Sequence, residues 1–86
     1  MPIISIFYGI IIRLNYNDHN PPHIHVEYQG MKAIFEIKSG NLITGEIPKN
    51  AKKLVVSWMK KNRLELSRNW KRAQNHDQLI RIPGEG

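Results

Sequence analysis

Apolar positions change period near the middle of this chain. From Tyr8 to Tyr16 they form an Ile- and aromatic-rich run, with Gly9 marking a bend or bulge inside it. His23 to Tyr28 and Lys32 to Ile37 alternate apolar with polar, the period of a half-buried strand. Gln29-Gly30 between them suits a tight hairpin, and Ser39-Gly40-Asn41 marks a further turn before a weaker strand at Leu42 to Thr44. Beyond Pro48 the period lengthens. Ala51, Leu54, Val55, Trp58 and Met59 recur at i, i+3, i+4, i+7 and i+8, one buried stripe of a helix. Pro48 suits the first helical position, where its missing N–H leaves nothing unpaired. Asn62 with Glu65 reads as a capping box that opens a second helix, striped by Leu66, Trp70 and Ala73. Since neither Pro nor Gly interrupts residues 49–74, one long helix is the alternative.

These elements predict an α+β fold. An antiparallel β-meander of three to four strands is followed by one or two C-terminal helices packed on one sheet face. The chain reads as a single domain over residues 1–86, with strands at about 4–46, helices at about 48–75 and a loose tail at 76–86. Trp58 and Trp70 lie on the apolar stripes of their helices and are expected in the core.

Composition narrows the chemistry. With no cysteine there are no disulfides and no thiolate metal sites, so a bound zinc ion would need His and carboxylate ligands. The apolar start, Met1 to Ile12, lacks the basic region of a signal peptide and is too short to span a bilayer before Arg13. A cytoplasmic protein without a membrane partner is expected. The net charge of +6 is concentrated in one segment. Residues 1–48 hold three basic side chains against four acidic ones, whereas residues 49–72 hold nine against Glu65 alone. Such a segment is either a solubilising face or a surface for a polyanion. Lys49, Lys52, Lys53, Lys60 and Arg63 are the candidate contacts to RNA or DNA phosphates.

The stretch "DHNPPHIHVEY", residues 18–28, holds three of the four histidines. Strand alternation places His23, His25 and Glu27 on one face, successive members roughly 6.5–7 Å apart, with Ile24 and Val26 on the core face. His19 lies across the Pro21-Pro22 corner and is able to fold back beside them. Three readings stay open. His23, His25 and Glu27 would supply a His₂–carboxylate set for a divalent metal, although no cofactor is required by the sequence. His19, His23 and His25 would serve as acid and base in metal-independent RNA cleavage, with the basic segment binding the phosphates. Alternatively the histidines are structural, and the Pro-Pro corner only stiffens entry into a strand of a non-enzymatic interaction module.

Two longer stretches, "ISIFYGIIIRLNYNDHNPPHIHVEY" and "KAIFEIKSGNLITGEIPKNAKKLVVSWMKKNRLELSRNW", resemble a small prokaryotic family catalogued as domain of unknown function 4160. The resemblance runs from about Ile4 to Ala73, and its most specific part is Asp18 to Val26. It implies one component of a toxin–antitoxin-like pair, with a small cognate protein from a neighbouring gene as partner. It also makes His19, Asn20, His23 and His25 the leading functional candidates.

Overall fold

The computed structural model describes residues 2–85. Five strands come first: β1 (Ile3–Phe7), β2 (Ile10–Arg13), β3 (His23–Tyr28), β4 (Met31–Glu36) and β5 (Leu42–Gly45). Two helices follow, α1 (Lys49–Lys61) and α2 (Arg63–Gln74). The strands form one antiparallel sheet in chain order, so every connection joins neighbours. The α+β class holds, but the sheet has five strands rather than three or four.

The additional strand comes from the N-terminus. Tyr8 and Gly9 have φ of 50° and 75°, the positive values that a two-residue type I′ hairpin requires. Gly9 therefore marks a reversal of the chain and not a bend within one strand. It pairs Phe7 with Ile10, and folds the apolar run onto itself as β1 and β2. Gln29-Gly30 makes the same kind of turn between β3 and β4, as its sequence suggested.

Register decides which side chains face the helices. Ile12, Val26 and Ala33 lie opposite one another across β2, β3 and β4, as do Ile24 and Phe35 across β3 and β4. All five are buried. Against them pack Ala51, Val55, Trp58 and Met59 of α1 and Leu66, Trp70 and Ala73 of α2, so both Trp residues are in the core. The opposite sheet face carries Arg13, His25, Glu27 and Lys32.

Asn62 separates the helices by a different device from the one expected. Its side chain caps no N–H of α2; Nδ2 instead donates to the Trp58 carbonyl at the end of α1, 2.9 Å away. Glu65 pairs with Arg68 at 2.8 Å and does not reach back. Pro48 sits one residue earlier than expected, as the N-cap of α1.

The tail differs most from expectation. Ile82 is buried and its N–H donates to the Ile4 carbonyl, at 2.8 Å. Buried Asn69 holds both backbone groups of Ile80, at 2.8 and 3.0 Å, and Trp58 Nε1 donates to the Pro83 carbonyl at 2.8 Å. The segment expected to be loose is thus stitched to β1 and to both helices.

Candidate metal centre

The site forms where β2 ends, the chain turns, and β3 begins. Asn15 follows β2, and Asp18 sits in the turn that leads through a cis Asn20–Pro21 peptide into His23. The turn is tied to α2 by Gln74, whose Nε2 donates to the Asp18 carbonyl at 3.2 Å. Alternation along β3 then puts His23 and His25 on the same side of the strand. Their rings meet edge to face with centroids 5.1 Å apart, and the His23 ring leans on Trp70 at 5.4 Å. Strand and helix together fix His23, which is 9 % exposed.

Both rings turn Nε2 towards one carboxylate oxygen. Nε2 of His23 lies 2.8 Å and Nε2 of His25 lies 3.0 Å from Oδ2 of Asp18. The ligand-capable atoms of Asp18, His23 and His25 all lie within 4.8 Å of one another. Asn15 closes the cluster, its Nδ2 3.2 Å from His25 Nε2 and 3.4 Å from Asp18 Oδ2. Asn15 Oδ1 is buried without a hydrogen-bond partner. Turning that amide over would aim the oxygen at the same point, adding a fourth donor atom.

His23 Nδ1 is 2.8 Å from the Pro21 carbonyl oxygen, which only accepts, so Nδ1 carries a proton. In the neutral ring, Nε2 is then a lone pair facing a carboxylate, a contact satisfied only by a cation between them. The cation is either a second proton on the ring or a metal ion. His25 Nε2 lies between an amide donor and a carboxylate acceptor, and neither tautomer of its ring satisfies both. The carboxyl itself is strongly perturbed. Burial works to raise the Asp18 pKa, but hydrogen bonds from the His25 ring and the His19 backbone N–H, with the charge and hydrogen bond of His23, lower it from 3.8 to about 2. Asp18 is therefore a committed anion.

The sequence candidates separate accordingly. His23 and His25 come together as expected. Glu27 does not join them; it pairs with Arg13 at 3.7 Å, further along the strand, and Asp18 takes the third position in its place. The His19 ring is exposed, and this residue touches the cluster only through its backbone N–H, 2.9 Å from Asp18 Oδ1. Lys49, Lys52, Lys53 and Lys60 line one hollow on α1, whereas Arg63 lines a different one, beside Pro22 and Trp70. Asp18 and Asn15 were missed as site residues. The available signal was Asp18 itself, an acidic residue at the head of the turn that leads into the histidine strand.

The family's sequence model matches residues 9–71. The chain belongs to the family described as domain of unknown function (DUF4160). The match contains Asn15, Asp18, His23, His25 and Trp70, whereas Gln74 lies just beyond it. β1 and the docked tail fall outside. No curated protein and no solved structure matches this DUF4160 chain. Among the described residues, no helix is long and apolar enough to cross a membrane.

Proposed function

We propose that this DUF4160 domain is a divalent transition-metal-binding protein whose ligands are His23 Nε2, His25 Nε2 and Asp18 Oδ2. The observation that carries this reading is the convergence of those three atoms while His23 Nδ1 is held on the Pro21 carbonyl. A ring nitrogen fixed on a backbone carbonyl is the usual support of a metal-ligating imidazole, because it leaves the other nitrogen as a directed lone pair. Two imidazoles and one carboxylate suit zinc, iron, manganese or nickel better than calcium or magnesium, which prefer all-oxygen sets. The present nitrogen-to-oxygen distances are those of hydrogen bonds, so Asp18 must withdraw by about 0.5 Å to reach the ligand separation of a tetrahedral ion bound at roughly 2.0–2.1 Å from each nitrogen.

Three protein ligands leave coordination positions for water or a substrate, and a bound ion would supply polarisation of whatever occupies them. Metal-independent RNA cleavage is less well supported. It requires one imidazole to take a proton and another to give one on opposite sides of a phosphate. Here both nitrogens face the same carboxylate oxygen, and His23 is nearly closed to solvent.

Calorimetric titration of chelator-treated protein with zinc and with manganese tests the reading. We expect one site, weakened at least tenfold in Asp18→Ala and unchanged in Glu27→Gln. Equal affinity in wild type and Asp18→Ala would overturn it.

A further inference from the structure

We infer that the outward face of α1 is a nucleic-acid-binding surface that grips the phosphate backbone without reading sequence. It rests on α1 alone and stands or falls independently of the metal centre. Lys49, Lys52, Lys53, Val56, Ser57 and Lys60 line a single hollow of about 520 Å³. Their spacing of i, i+3, i+4, i+7, i+8 and i+11 is one stripe of a helix, roughly 16 Å long at 1.5 Å per residue. The four lysines are exposed.

A face that served only solubility would intersperse both signs. This helix contains no acidic residue at all, and none in its first turn. Lys49 lies three and four residues from Lys52 and Lys53, so like charges are neighbours on the surface. Lys49 and Lys52 also stand in the first turn of the helix, where the macrodipole is positive and favours carboxylates. Both placements work against the stability of α1. A polyanion laid along the stripe reverses both penalties.

The chemistry of the stripe selects among polyanions. An amphipathic helix that enters a lipid surface needs a free apolar face, but the apolar face of α1 is spent on the core through Ala51, Val55, Trp58 and Met59. Protein interfaces are depleted in Lys and centre on Tyr, Trp and Arg, none of which is on this stripe. Four lysines with one hydroxyl, beside the single apolar Val56, match evenly spaced phosphates, whose neutralisation needs point charges and no fixed geometry.

The test is fluorescence anisotropy with a labelled 20-base-pair DNA duplex and a labelled single-stranded RNA, from about 50 to 300 mM KCl. Four phosphate contacts give a log–log salt slope of about −3.6 on the duplex and about −2.8 on the single strand. Lys52→Gln with Lys53→Gln should weaken binding at least tenfold and flatten the slope by about two units on the duplex. Lys32→Gln with Arg81→Gln removes the same charge elsewhere and should leave affinity within about twofold. Circular dichroism of both double variants controls for folding. Binding to either probe with this pattern supports the surface, and the tighter probe names the nucleic acid. Equal weakening by the two double variants, no binding at 50 mM salt, or preference for phosphatidylserine vesicles over both probes would overturn it.

Discussion

The Asp18 carboxylate stands within hydrogen-bond distance of four groups, on Asn15, His19, His23 and His25, and its low pKa is the thermodynamic mark of that crowding. Its carboxyl falls from 3.8 to about 2 in the folded chain. A depressed carboxyl pKa contributes stability that is present above the unfolded value near 3.8 and is lost as pH falls through the folded value of about 2. The contribution is roughly 1–2 kcal/mol, discounted for the partial exposure of the side chain. Urea unfolding at pH 4 and pH 2 should therefore show wild type losing that much more stability than Asp18→Asn across the interval; equal losses would remove Asp18 as the anchor. The histidine row was legible because strand alternation fixes which side chains share a face. Its anion was not. Glu27 belongs to the same row, but one strand repeat separates it from His25 and it meets Arg13 instead. Asp18 reaches the histidines only because the turn folds back over β3, a path set by tertiary contacts such as that of Gln74 with the Asp18 carbonyl.

At the scale of elements, two places combine tight geometry with unexpected order. Gly45 ends β5 at φ +84°, beside a bulge that leaves Ile43 without a partner on β4. A Cβ there would meet the Lys32 carbonyl oxygen and the Ala33 backbone. Gly45→Ala should cost about 2 kcal/mol or more in urea unfolding, from positive φ and the clash together. The tail gives a second prediction. Ending the chain after Asn75 removes the burial of Ile82 and the acceptor of Trp58 Nε1, about 2–4 kcal/mol in total. A truncated chain as stable as the full one would show that the docked tail adds nothing. The helices and β3–β4 were readable because each carries a full apolar period. β1 was hidden because Tyr8-Gly9 lies within an unbroken apolar run, where a hairpin turn has no polar punctuation. The tail was unreadable because a single buried isoleucine has no period, and its hydrogen bonds go to groups far away in sequence.

For the whole molecule, a metal that binds only the folded chain must raise its stability. At 100 times the dissociation constant the gain is about 2.7 kcal/mol, which in a domain of this size lifts Tm by about 10 °C or more. The lift should disappear in His25→Ala and persist in His19→Ala and Glu27→Gln. Because two imidazoles must be neutral to bind, affinity should fall on acidification, by up to about a hundredfold per pH unit once both are protonated. The most direct measurement is elemental analysis of untagged protein purified without chelator, wild type beside Asp18→Ala. About one equivalent of a divalent transition metal is expected in the wild type and almost none in the variant. Wild-type protein free of metal that also takes none up on titration, or equal metal in both proteins, would contradict the proposed metal centre.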